Sequence, residues 1–157
     1  MVGHTEKQTR DEAARMTAMS YQGCIPCMID RWNDVPATVQ HVTDGGRRLG
    51  HRDTYKSCPW HHLGQVDEAF YGSVKRMTEV RGPSFAHDKP AFEARYGSEL
   101  ELVQIQDALV REYWRAWHRG EFIPPAQMGR LAVLLHAEIV LKRPPRPVDI
   151  ELLERRR

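Results

Sequence analysis

Residues 38–64 read T-V-Q-H-V-T-D-G-G-R-R-L-G-H-R-D-T-Y-K-S-C-P-W-H-H-L-G, and their pattern decides the fold. The opening T-V-Q-H-V-T is rich in β-branched residues and runs into D-G-G, a strong turn signal. Thr54 to Ser57 offers a second extended segment. Pro59 stands where a helix begins, because its missing N–H is not needed in the first turn. W-H-H-L-G-Q-V-D-E-A-F then continues as helix, weakened at Gly64. The order is strand, strand, helix, with a basic, glycine-containing excursion between the strands.

The stretch closes on Cys58-x-x-His61, and upstream lies Cys24-x-x-Cys27 with the same spacing. Two intervening residues let the backbone turn and aim both side chains at one ion, so the pairs supply three thiolates and one imidazole, a complete structural zinc set. Three cysteines are an odd number and a poor disulfide framework. Two plainer readings stand beside zinc: small buried cysteines with a surface histidine, and a redox pair at Cys24 and Cys27. The redox pair wants a βαβ context that this sequence lacks.

With His61 used, His62 is left over, about 100° further round the helix. His41 lies in the first strand and His51 in the excursion, so three histidines surround the hairpin and could converge on a second metal. Taken singly, each is as readily a solvated or satisfied side chain. Arg47, Arg48, Arg52 and Lys56 fall within ten residues of one another, and Arg143, Arg146 and Arg155 to Arg157 make a second basic run. Both runs suit phosphate, and both also read as solvated charge.

Outside this stretch, 157 residues with 41% hydrophobic content suffice to bury a core. A net charge of +2 does not by itself imply nucleic acid. The first residues are charged, no signal-like or membrane-length apolar stretch follows, and the expected location is cytoplasmic. A helix is predicted over 6–20, with Ala13, Met16, Met19 and Ser20 on one face. Residues 72–97 read mostly as loop, with a short helix at 91–95. Ser98 and Glu101 form a capping-box signature, after which Leu102, Ile105, Leu109, Tyr113 and Trp117 recur at helical spacing until Gly120. Trp114 and Trp117 are expected in the core. Pro124 and Pro125 open a further helix over 126–141, followed by a proline-rich arm with a short final helix. The expected division is a domain over 1–120 and a C-terminal helix and basic tail over 121–157, packed on it or extending from it.

The hairpin Q-H-V-T-D-G-G-R-R-L-G-H-R-D-T-Y-K-S-C-P-W-H-H resembles the ββα-metal, or HNH, nuclease motif. Within that superfamily the chain is most similar to the phage recombination-enhancement, RecA-dependent nucleases, through G-C-I-P-C, the hairpin, C-P-W-H-H-L-G, G-P-S-F-A-H and F-E-A-R-Y-G-S. The resemblance covers roughly residues 16–110. It implies an α+β fold with a small zinc-stabilised ββα core and flanking helices, and a metal-dependent endonuclease that cleaves DNA phosphodiester bonds. His41 corresponds to the general base and His62 to a catalytic-metal ligand. Gln40 and His51 are further candidates for that metal, and His51 or Asp53 would supply an orienting group. Zn²⁺ is the implied structural ion and Mg²⁺ or another divalent cation the catalytic one. The implied partners are DNA, held by Arg47, Arg48, Arg52 and Lys56, and a RecA-type recombinase filament. Gln40 departs from the superfamily, which commonly places Asp or His before the base. A zinc-stabilised DNA- or protein-binding module without nuclease activity is therefore the alternative.

Overall fold

The hairpin is formed, in two pieces. In the computed structural model, which describes residues 7–144, strand β1 (Thr38–His41) pairs antiparallel with β4 (Thr54–Ser57), placing Thr38 opposite Ser57 and His41 opposite Thr54. Beyond them β2 (Thr43–Asp44) pairs with β3 (Arg47–Arg48) around Gly45 and Gly46. Both turn glycines have positive φ, 53° and 81°, which a two-residue type I′ hairpin requires at each central position. Residues 49–53 leave the ladder as a bulge whose root is held by Val42 N–H to the Asp53 carbonyl (2.9 Å) and Leu49 N–H to the Val42 carbonyl (3.0 Å). The bulge sets His51 beside the end of β1.

Around this hairpin the chain is helical: α1 (Arg10–Ser20), α2 (Ile25–Ile29), α3 (Pro59–Leu63), α4 (Val74–Arg81), α5 (Lys89–Tyr96), α6 (Glu99–His118) and α7 (Pro125–Ile139). The architecture is mixed α/β with two small two-stranded sheets. β4 is buried along its whole length because α6 and α1 cover it. Tyr55 Oη donates to Glu99 Oε1 (3.1 Å), and the Lys56 N–H donates to Gln106 Oε1 (3.0 Å) while Gln106 Nε2 donates to Gln22. Arg15 of α1 donates to the Thr54 carbonyl and pairs with Asp107 at 2.6 Å. Buried polar groups are tolerated only when satisfied in this way.

Helix α6 begins at the predicted capping box of Ser98 and Glu101. Leu102, Ile105, Leu109 and Tyr113 are buried as expected, but Trp117 is 60% exposed. The buried face runs on through Ala116, at 2% exposure, rather than Trp117, and Tyr113 stacks on Tyr21 at 5.4 Å. α7 lies on α2 and α6 and contributes Met128 and Ala132 to the main core with Ile25, Tyr55, Phe92 and Tyr96.

Three local expectations are corrected. α1 buries Arg15, Ala18 and Met19 rather than Ala13, Met16 and Ser20, because the Arg15 guanidinium finds an acceptor and a carboxylate inside. α3 stops at Leu63, since Gly64 adopts φ 68° and a Cβ there would lie 2.5 Å from the His87 ring. The chain then makes only a 3₁₀ turn over Glu68–Phe70. Residues 72–97 hold two helices, α4 and α5, whose first turns are capped by the side chains of Ser73 and Asp88. The residues before Lys7, the basic tail with Arg146 and Arg155 to Arg157, and the predicted final helix lie outside the described residues. Among the described residues no helix is long and apolar enough to cross a membrane.

His136 anchors α7. Its ring is 8% exposed and hydrogen-bonds through Nε2 to the Arg95 carbonyl (3.0 Å). Burial, opposed by that hydrogen bond and aided by the Arg143 charge, holds its pKa below the ordinary value. The unfolded chain therefore takes up the proton first, so this contribution to stability is complete above the ordinary imidazole pKa, about 6.5, and is lost as pH falls through the lower folded value. Thermal unfolding of His136→Gln, compared with the parent between neutral and mildly acidic pH, is expected to show a smaller fall in Tm over that window.

Candidate functional site

Four donors converge where α2 begins and α3 begins. Cys24 is the N-cap of α2 and Cys27 lies in its first turn. Cys58 is the N-cap of α3 and His61 lies one turn on. Each C-x-x-[C/H] pair therefore straddles a helix start, where the chain turns sharply enough to present both side chains to one point. The start of α2 is tied to the chain entering β1 by Cys24 N–H to the Val35 carbonyl (3.0 Å), and a Cβ on Gly23 would come within 2.9 Å of that same oxygen.

All four residues are buried, and their ligand atoms lie within 4.8 Å of one another. His61 Nδ1 is 3.5, 3.3 and 3.2 Å from the sulfurs of Cys24, Cys27 and Cys58, and the Cys27 and Cys58 sulfurs are 3.8 Å apart. A tetrahedral zinc with ordinary bond lengths has sulfur–sulfur edges of about 3.8 Å and sulfur–nitrogen edges of about 3.5 Å. Residues and spacing fit a metal such as zinc. The imidazole is oriented for it, because His61 Nε2 is bonded to the Arg81 carbonyl (2.8 Å) and to Tyr96 Oη (3.2 Å). Tyr96 donates in turn to Asp30 (2.6 Å), which Arg95 holds. Such outer partners fix the tautomer that leaves Nδ1 free to ligate.

The thiols are strongly polarised. Burial pushes the Cys24 thiol up, whereas hydrogen bonds from Cys24 and Cys27 push Cys58 far down. Trp60 seals the cluster at 2% exposure, packing with Met77 and donating Nε1–H to the Gly82 carbonyl (3.0 Å). Trp32, the other tryptophan near the knuckles, is 45% exposed beneath the Arg81 guanidinium, 4.5 Å from its ring centroid.

The remaining histidines are arranged differently. His41 and His51 meet edge to face with ring centroids 5.7 Å apart. Burial, then the nearby Arg48 and His51 charges, lower the His41 pKa. His62 stacks on Phe85 at 6.1 Å with an 18° interplanar angle. Its Nδ1 is buried without a hydrogen-bond partner, and burial lowers its pKa. Gln40 donates Nε2–H to Thr38 Oγ1 (2.8 Å), leaving Oε1, the atom through which a neutral amide ligates. Among the described residues, His41, His51, Asp53 and His62 do not make a second close set like the cysteine cluster.

Arg47, Arg48 and Arg52 are exposed, and Arg52 pairs at 3.5 Å with an equally exposed Asp11. Lys56 is 8% exposed, and burial lowers its pKa. The three arginines face solvent together, and Lys56 does not join them. Sequence reasoning missed Asp30 and the Arg81 carbonyl as supports of the cluster. Tyr96 carried a signal, as the tyrosine of F-E-A-R-Y-G-S, but its partners depend on how α5 folds back over α3.

Residues 8–111 match the family model described as "Recombination enhancement, RecA-dependent nuclease". No curated protein and no solved structure matches the chain.

Metal bound at such sites supplies an apparent ~10–16 kcal/mol, against a whole-domain stability of about 5–15 kcal/mol. Metal analysis of the purified protein is expected to return one tightly held ion, lost in Cys58→Ser. Chelation is expected to abolish the near-ultraviolet circular dichroism of the buried aromatics, with recovery on adding back Zn²⁺.

Proposed function

The chain belongs to the recombination-enhancement, RecA-dependent nuclease family, whose model spans residues 8–111, and on that footing we propose that it is an HNH endonuclease. Its substrate in this reading is the DNA phosphodiester bond, offered by a RecA-type recombinase filament during phage or prophage recombination. The observation that carries the proposal is the juxtaposition of a strand–strand–helix unit, β1, β4 and α3, with a Cys₃His cluster at its base. The cluster holds structural Zn²⁺ and fixes α3 against the hairpin, and the ββα unit carries the chemistry. In this reading the nuclease domain covers residues 1–120, and α7 of the C-terminal part, 121–157, packs on its α2 and α6. Thiolate ligands stay available in a reducing setting, which suits the cytoplasm.

His41 is the general base. Burial and the nearby Arg48 charge lower its pKa, which favours the neutral imidazole that accepts a proton from water. His51, in edge contact with it, orients the ring, and Asp53 sits at the root of the same bulge. His62 is a ligand for the catalytic cation, and its buried Nδ1, which has no hydrogen-bond partner among the described residues, supports that role. Gln40 Oε1 and His51 are the remaining candidate donors. A divalent cation such as Mg²⁺, when bound, supplies positive charge against the scissile phosphate and the leaving oxygen. Arg47, Arg48 and Arg52 contact phosphates on either side and place the backbone without reading sequence; Lys56 is left out of this contact surface by its burial.

A second reading is favoured by Gln40, a neutral amide at a place where an anionic or imidazole donor would hold a cation more tightly: a zinc-stabilised DNA- or protein-binding module that does not cut. The two separate in one assay. Plasmid is incubated with protein and Mg²⁺, with and without recombinase, ATP and a matching oligonucleotide. Cleavage confined to the complete reaction is expected, and His41→Ala is expected to slow it on the order of 10²–10⁴-fold with its zinc content unchanged. Binding without cleavage under every condition favours the module.

A further inference from the structure

The segment G-P-S-F-A-H, residues 82–87, has no place in the chemistry above, yet it touches α3 from end to end. The Gly82 carbonyl accepts from Trp60 Nε1 (3.0 Å), the Phe85 N–H donates to the His61 carbonyl (2.8 Å), and His87 Nε2 is bonded to the Gly64 carbonyl (2.9 Å). Just before it, the Arg81 carbonyl holds His61 Nε2. Two glycines make this fit possible. A Cβ on Gly82, at φ 81°, would stand 2.1 Å from the Tyr96 hydroxyl, and one on Gly64 would strike the His87 ring.

A helix of five residues has too few internal hydrogen bonds to fix its own side chains. Its geometry must come from what surrounds it. For His61 that is the Arg81 carbonyl, the Tyr96 hydroxyl and the thiols. For His62 it is an aromatic face: the ring lies nearly parallel to Phe85, which is itself wedged edge-on against Phe92 (5.6 Å) and capped by Lys89 Nζ, 5.1 Å from its centroid.

We propose that residues 82–87 are a strap that presets the paired histidines of α3, and that Phe85 is the positioning residue for His62. The inference rests on the nuclease reading for its catalytic consequence and on the packing alone for its structural part. Phe85 holds the imidazole plane, so the catalytic ligand is set before substrate arrives, and displacement of a catalytic group by about 1 Å costs on the order of 10²-fold in rate.

The test compares the full-length parent with Phe85→Leu, which keeps an apolar side chain but no ring face, and with Phe85→Tyr, which restores the ring. In the parent the His62 ring protons are expected to be shifted upfield by the Phe85 ring current. In Phe85→Leu they move toward ordinary values, and in Phe85→Tyr they return. Zinc content stays at the parental level in all three. In the recombinase-dependent assay Phe85→Leu is expected to lose about 10- to 100-fold in kcat with KM for DNA within about twofold, and Phe85→Tyr to recover it. Parental kcat in Phe85→Leu, unmoved His62 resonances, or loss of zinc together with activity would each overturn the proposal. If the parent itself does not cut, the nuclease reading falls, and the ring-proton comparison still decides whether Phe85 sets the His62 ring.

Discussion

The convergence of Cys24, Cys27, Cys58 and His61 is the constraint on which the rest of the structure depends. Two segments more than thirty positions apart in sequence meet at a buried point, where three sulfurs and one imidazole nitrogen lie at the corners of a small tetrahedron. Without a shared ion, three adjacent buried thiols gain little from their proximity, since burial disfavours their charged forms. With one, the same crowding becomes binding energy that is also folding energy. The hairpin, α2 and α3 are fixed relative to one another by that single point. α5 serves it through Tyr96, which supports His61 on the side away from the thiols.

Around the clip, polar groups do much of the docking. β4 is buried on both faces, and its attachment to α6 runs through Tyr55 to Glu99 and Gln106 to the Lys56 backbone, while Arg15 bridges Thr54 and Asp107. These contacts orient the hairpin so that its loop, with Arg47, Arg48 and Arg52, faces outward. His41 and His51 lie at the boundary between this exposed loop and the buried strand, both half-buried. The boundary suits the general base proposed at His41, which has to meet water and yet stay neutral.

What was legible in the sequence followed from local chemistry. D-G-G with flanking β-branched residues gave the hairpin, Pro59 the start of α3, Ser98 with Glu101 the start of α6, and the paired C-x-x-[C/H] spacings the metal cluster. Each is a signal whose cause lies within a few residues. The misreadings fall where the cause is distant. Gly64 ends α3 because His87 packs over it. Arg15 is buried because Asp107 and the Thr54 carbonyl await it. Trp117 is exposed because the last turn of α6 buries Ala116 in its place. α4 is hidden and α5 shortened in the sequence because glycines and prolines at their borders signal breaks, whereas Ser73 and Asp88 beside them act as caps. At the candidate site the residue types were readable, but the stacking of His62 on Phe85 and the burial of Lys56 depend on tertiary packing that no spacing rule carries.

The fold around α2 and α3 rests on which atoms hold the ion between Cys24, Cys27, Cys58 and His61. X-ray absorption at the zinc edge of purified, active protein measures it directly. The predicted result is a four-coordinate ion with three sulfurs at about 2.3 Å and one nitrogen at about 2.0 Å, unchanged in His41→Ala and in His62→Ala. A shell of nitrogen and oxygen alone, or one that changes when His62 is removed, would contradict it.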